Sequence, residues 1–350
     1  MEEIVKEVEK RVSIPVYEES IARVLSALLS TTDIWELVSL SEEPLPLVMA
    51  ILEVLNEMGF VDFSAELSLT EKGRELVERY QISKTERLLC ECCGGRGLSI
   101  ESFKEILRDF ISLTSGRPEP KHEFDQAFVT PETVISRVAL MLSRGDLKGK
   151  DVFVLGDDDL ISIALMLTGL PRRIAVLDID ERLISFIEDA ASQIGFEKID
   201  IFVFDLREPL PDYAKGKFST FITDPPETPD AIRCFVGRGI SSLRGPGCAG
   251  YFGLTRIESS LDKWRELQKI LLNEFNVVIT DVIKDFNEYV NWGYMEHTKA
   301  WKLTPLKSHP KRNWYRSYMF RIQTLRNSKG FDEKINISKE LYEDEESSTT

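Results

Sequence analysis

Positive charge is what this chain is short of. Its 350 residues carry 44 Lys and Arg against 59 Asp and Glu, a net charge of −15 at neutral pH. Such a surface repels phosphate polymers, so nucleic acid is not an expected partner, and it favours a small polycation. The bland alternative is solubility, or the Glu- and Lys-rich habit of thermophiles. Long apolar runs are also missing. None approaches the ~20 residues of a membrane span, and the charged start MEEIVKEVEKR does not resemble a signal peptide. A cytoplasmic protein without a membrane partner is expected. Cysteine is scarce: there are five, three of them at Cys90, Cys92 and Cys93, which argues against a secreted disulfide framework. What is present is 43% apolar residues, enough for two domains with real cores.

Residues 1–115 read as an amino-terminal domain. Helices are predicted over 2–12, 17–29 and 45–58, with a short one capped by Thr32 or Asp33. A hairpin over 60–70 and a helix over 71–80 follow, a layout that resembles a winged helix. The recognition position, Leu45 to Met58, has Glu53 and Glu57 and lacks Lys and Arg. Dimerisation or a structural role is therefore favoured over DNA binding. Cys90 and Cys93 then have C-x-x-C spacing, half of a metal knuckle, with Cys234, Cys248, His122 or a second subunit as sources of further ligands. A cysteine-rich turn without metal remains equally open. Thr114 to Pro120 marks the linker.

Residues 116–326 alternate apolar strands with helices, the pattern of an α/β parallel sheet, and two last strands can form an antiparallel edge. The first strand runs into Asp151 to Asp159, DVFVLGDDD. Glycines usually follow such a strand where the backbone meets an anion. Here Gly156 is followed by Asp157, Asp158 and Asp159, which suits a cationic ligand. Later strand ends carry Asp178 and Asp180, then Asp205, then Asp224 and Glu227 in DPPET. Asp178 and Asp180 stand about twenty residues on, where such folds bind ribose hydroxyls, and Asp205 suits an adenine amino group. Each alone could be a helix cap; four in order favour a nucleoside plus a cation. Gln126 is a candidate for covering the cofactor. Trp292 and Tyr294 are candidates for cation–π contact with an alkylammonium, against simple burial. His297 and His309 read as surface residues. Residues 327–350 read as a mobile acidic tail, either inert or a flap that retains a polyamine.

LGDDD at 155–159, LDID at 177–180, FDL at 204–206 and DPPET at 224–228 together resemble the branched-chain polyamine synthases, aminopropyltransferases of thermophiles, across the whole chain. The resemblance implies a class I methyltransferase-like domain behind a winged-helix-like one. It also implies decarboxylated S-adenosylmethionine as donor and spermidine as acceptor, while a homodimer or higher homo-oligomer is expected on fold analogy alone. It gives Asp159 the essential place beside the reacting amine. Asp158 and Glu227 would then hold flanking ammonium groups, with Asp224 as the alternative base. The GDDD turn, Asp157 included, would attract the donor's ammonium and repel a carboxylate. Two other classes stay open. One is an amino-group N-methyltransferase, although Glu227 stands where that class commonly has an aromatic residue. The other is a winged-helix regulator without catalysis.

Overall fold

The computed structural model describes residues 1–64, 66–86, 88–336 and 341–349. Nine strands are described. They are β1 (Val61–Asp62), β2 (Ser68–Leu69), β3 (Asp151–Leu155), β4 (Arg173–Asp178), β5 (Ile199–Val203), β6 (Thr220–Thr223), β7 (Ala249–Leu254), β8 (Val277–Glu288) and β9 (Arg316–Thr324). The first two form the small hairpin. The other seven form one sheet in the order β5-β4-β3-β6-β7-β9-β8. The first five of these pair in parallel, while β9 runs antiparallel to both β7 and β8. This is the methyltransferase-like α/β sheet expected, with its antiparallel edge.

The reason is legible in the strands. β3, β6 and β7 are buried along their whole length, as central parallel strands with helices on both faces must be. Edge strand β8 instead alternates half-buried and exposed positions over much of its twelve residues. Chain order reverses between β3 and β6, so the crevice at their carboxyl ends is the place for a ligand.

The amino-terminal helices lie at Glu2–Glu9, Glu18–Leu28, Ile34–Ser41, Leu45–Glu57 and Glu71–Arg79. Asp33 caps the third by accepting from the N–H groups of Trp35 and Glu36. The helix Leu45–Glu57 is buried along most of its length, and Leu45 N–H donates to Ile257 O at 2.9 Å. Trp35 stacks against Trp301 and Trp314 and gives its indole N–H to Ser308 O. The module therefore shares one continuous core with the sheet domain, and the face a DNA reader would need is spent on that contact. The helix Lys104–Thr114, read as amino-terminal, packs on Pro131–Ser143 and Ile161–Thr168 and so belongs to the sheet domain.

Phe221 on β6 is wedged between Gly239 and Gly250, and a Cβ at either glycine would overlap its ring. Gly250→Ala should therefore lower stability by about 1–3 kcal/mol, read as a urea midpoint, with part of the loss recovered in Gly250→Ala/Phe221→Leu. An unchanged midpoint in the single variant would contradict this packing.

Candidate active site

A cavity opens at the β3–β6 reversal. One half is lined by Gly156, Asp178, Ile179, Phe204, Asp205, Leu206 and Phe235, at the ends of β3, β4 and β5. Gly156 has φ +70°, and Phe235, on a π turn of the helix above, sits against it. The other half presents Asp125, Gln126, Asp158, Asp224, Glu227, Tyr289, Tyr315 and Thr349, while Tyr342 stands by Asp205 and Arg207 on the first side. One half is an apolar slot with two carboxylates, and the other is an acidic, aromatic-walled chamber.

The three consecutive aspartates point three ways. Asp157 turns inward: its carboxylate caps Ser162 N–H at 3.2 Å, and its own N–H donates to Asp178 at 2.8 Å. Its other carboxylate oxygen has no partner, and burial pushes the group up to about 8. Asp158 faces the cavity and accepts Ala127 N–H at 3.0 Å. Burial, with repulsion from Asp159, Asp178 and Asp224, lifts it well above the carboxylate range. Asp159 faces away, accepting Val129 N–H at 2.7 Å and pairing with Arg137. Leu160 makes the turn possible by taking φ +58° while fully buried, a costly conformation for a side-chain-bearing residue.

Arg137 ties these parts together. It sits in the helix Pro131–Ser143 at 2% side-chain exposure. Its guanidinium donates to Asp159, to Asp224 at 2.7 Å and to Asn287 Oδ1 at 2.9 Å. Burial pulls this group down, but the two carboxylates more than reverse that, and it stays charged. Tyr289 OH adds a bond to Asp224 at 2.8 Å and meets Ser317 Oγ at 3.0 Å. Gly253 on β7 leaves room for the Asp224 carboxylate, which a Cβ there would strike. Burial raises Asp224 while Arg137 works against it.

Deeper in the chamber, Glu227 accepts Thr255 N–H at 2.8 Å. Burial first, then Glu258, pushes it well above its usual range. Glu258 in turn accepts from Ser348 and Thr349, by backbone N–H and by hydroxyl, at 2.7–3.0 Å. Asp344 pairs with Lys263 at 2.6 Å, Glu346 accepts from Ser260, and Leu341 is buried. Residues 341–349 are thus docked over the chamber rather than solvated, because Leu341 and the terminal Ser-Ser-Thr have partners waiting. The expected tail also covers residues 337–340 and 350, which lie outside the described residues.

The structure places the expected site residues in different surroundings. Asp159, expected at the reacting amine, is absent from the cavity wall because Arg137 claims it. Asp157 is buried behind the wall. Asp180 is the cap of Glu181–Ile194, pairing with Arg182 and with Gln126 Nε2 at 3.2 Å. Trp292 and Tyr294 stand one layer back. Trp292 packs on Trp314 and Tyr315, and Tyr294 gives its hydroxyl hydrogen to Gln126 O at 2.6 Å. Gly156, Gln126, Asp158, Asp178, Asp205, Asp224 and Glu227 do meet at the cavity, although Asp205 is engaged by Arg207. Arg137, Asp125, Tyr315 and Tyr342 carried no sequence expectation, and Tyr289 lay in the aromatic loop from which Trp292 and Tyr294 were preferred. The lone charge in the apolar run VISRVALML was the signal for the first.

Residues 105–349 match the family described as the branched-chain polyamine synthase A C-terminal domain. The chain belongs to the branched-chain polyamine synthase family. It is 64% identical to the N(4)-bis(aminopropyl)spermidine synthase of Thermococcus kodakarensis over the full length of both chains. It is 57% identical to that of Methanocaldococcus jannaschii, again at full coverage of both. The solved branched-chain polyamine synthase of Thermus thermophilus, in complex with N4-aminopropylspermidine and 5'-methylthioadenosine, superposes with a TM-score of 0.91. It is 40% identical, covering 99% of this chain and 98% of that one. Membership makes the protein an aminopropyltransferase.

The buried Asp157 gives a pH signature. Its pKa is about 8 in the fold, against about 3.9 for a free aspartate. The proton is held more tightly in the folded chain. The stability it contributes is complete below the unfolded value and is lost as pH rises through about 8, at up to ~1.4 kcal/mol per pH unit. Asp157→Asn keeps the Ser162 bond without the charge, so its urea midpoint should gain on the wild type between pH 6 and pH 9. A constant difference across that range would show that Asp157 ionises freely.

Proposed function

We propose that the chain transfers aminopropyl groups from decarboxylated S-adenosylmethionine to the internal secondary amine of spermidine. The products are N4-aminopropylspermidine, then the quaternary N4-bis(aminopropyl)spermidine, with methylthioadenosine released. The observation that carries this reading is the pairing of two unlike half-cavities across the β3–β6 reversal. The slot suits a nucleoside: Asp178 offers carboxylate oxygens to ribose hydroxyls, and Phe204, Leu206 and Phe235 offer an apolar bed to adenine. The chamber suits a polyamine. Asp125, Asp158, Asp224 and Glu227 would face flexible ammonium groups, and Tyr289 and Tyr315 would give π faces for the alkyl chain between them. The Thermus thermophilus structure holds one ligand of each kind, a polyamine and a nucleoside thioether.

The reaction is a displacement. The acceptor nitrogen uses its lone pair to bond the propyl carbon beside the sulfonium. The carbon–sulfur bond breaks, and its electrons stay on sulfur as the thioether of methylthioadenosine. The nitrogen must first lose a proton, and we assign that proton to Asp158. It is the GDDD carboxylate that meets the cavity, and its raised pKa makes it a better base than an exposed aspartate. Asp224, fixed by Arg137 and Tyr289, places negative charge where the nitrogen becomes cationic. In the second addition the amine is tertiary, and this electrostatic role carries more of the barrier. Asp159 acts through Arg137 as a positioning residue.

Two measurements test the reading. Incubation with spermidine and decarboxylated S-adenosylmethionine should give aminopropyl mass gains. Methyl gains with the ordinary cofactor would mean an N-methyltransferase instead, and no gain with either would mean a binding protein. Asp158→Asn should lower kcat by about 10²–10⁴-fold with methylthioadenosine still bound. Asp159→Asn should cost stability as well as rate. Normal turnover in Asp158→Asn would return the role to another carboxylate. Deleting residues 336–350 should raise the spermidine KM while leaving methylthioadenosine binding near normal; an unchanged KM would leave the docked tail without a part in acceptor binding.

A further inference from the structure

The chain between the helices Glu71–Arg79 and Glu101–Phe103 has no helix or strand among its described residues. A segment of this length without regular structure in a compact domain needs a reason. It buries little of its own, since Leu88, Leu89, Cys90 and Cys92 are all exposed. Yet it curls tightly. Gly94 N–H donates to Cys90 O at 2.8 Å and Arg96 N–H to Cys93 O at 3.1 Å, while Gly94, Gly95 and Gly97 all take positive φ. The curl brings the three thiols together. The sulfurs of Cys90, Cys92 and Cys93 lie within 4.8 Å of one another, with Cys90 and Cys92 at 3.1 Å.

We propose that Cys90, Cys92 and Cys93 hold a zinc ion as three thiolate ligands. Tetrahedral zinc with Zn–S bonds near 2.3 Å sets its sulfurs about 3.8 Å apart, inside the range the three thiols already span. Gly97 N–H points at the Cys93 sulfur at 3.3 Å, the kind of backbone donor that stabilises a metal-bound thiolate. Without a cation, three thiolates at this spacing would repel. Cys234 and Cys248 cannot contribute. Both are buried in the core, with their sulfurs on Leu206 O and Phe218 O, and neither joins the three grouped thiols. His122 is engaged with the Tyr294 ring. Among the described residues no fourth His, Cys, Asp or Glu joins the group, so the fourth position falls to water and the ion is open to chelators.

The ion has a structural task. Arg96, inside the curl, donates to Phe286 O at 2.7 Å and to Thr133 Oγ1 at 2.9 Å. Thr133 lies one helical turn before Arg137, and Phe286 directly precedes Asn287, which holds Arg137 Nε. The zinc-closed curl thus pins the helix and strand between which the Arg137 clamp is built.

The test uses the full chain, prepared under reducing conditions, loaded with zinc chloride and freed of excess by gel filtration. Elemental analysis should give one zinc per chain for the wild type and background for Cys93→Ser and for Cys90→Ser/Cys92→Ser. Cobalt in place of zinc should give the near-ultraviolet sulfur-to-cobalt absorption band, lost in the same variants. A chelator should lower the wild-type thermal midpoint and leave the variants unmoved. Because Cys90 and Cys92 are exposed and Cys93 is only half-buried, the variants should fold, and circular dichroism checks this. Zinc-free wild type after loading, a disulfide among the three in the reduced preparation, or full zinc in the double variant would each overturn the proposal.

Discussion

The site depends on one buried cation. Arg137 is locked between Asp159 and Asp224 with almost no access to water. Each partner comes from a different element: Asp159 from the turn after β3, Asp224 from the turn after β6, and Asn287 from β8. Breaking one member of such a group leaves an unpaired buried charge, at about 3–5 kcal/mol. The geometry is therefore held from three sides at once. It fixes the direction of the GDDD turn, because Asp159 is pulled back and its neighbour Asp158 is left at the cavity face.

The same cation explains an imbalance around it. The chamber wall carries Asp125, Asp158, Asp224 and Glu227, with Glu258 just behind, and Arg137 answers only the two carboxylates it touches. Burial and mutual repulsion raise Asp125, Asp158 and Glu227 well above their usual range. A polyamine brings the charges that these groups lack. Selectivity for a long flexible cation then needs no close-fitting pocket for each nitrogen, only anionic positions spaced along an aromatic channel.

Most of the architecture was legible in the sequence. β3, β4 and β5 begin or end within a residue of their apolar runs, since buried parallel strands leave an unbroken hydrophobic signature. GDDD and DPPET were also legible as a pair of strand ends. What could not be read was which of three adjacent aspartates lines the cavity. That is set by Arg137, 22 residues away, and by the positive φ of Leu160, and neither is a local preference of the motif. Tyr289 and Tyr315 were hidden for a related reason. Trp292 and Tyr294 carry the same chemistry nearby, and only the register of β8 on β9 decides which aromatic residues reach the front. The tail misled because its acidic composition spoke of solvation, whereas Leu341 and three small hydroxyl residues determine where it rests.

The position of β9 has a consequence for how the chain comes to be an enzyme. It is the last strand in sequence, yet it lies between β7 and β8, and its Ser317 completes the bonds of Asn287 and Tyr289. Arg137 reaches its Asn287 partner across 150 residues. Contacts of such separation form late, because the chain must close a long loop before they contribute. The nucleoside half, built by β3 to β5, can be in place while the acceptor half still waits for the final strand. The acceptor side of the cavity therefore rests on contacts of wide sequence separation.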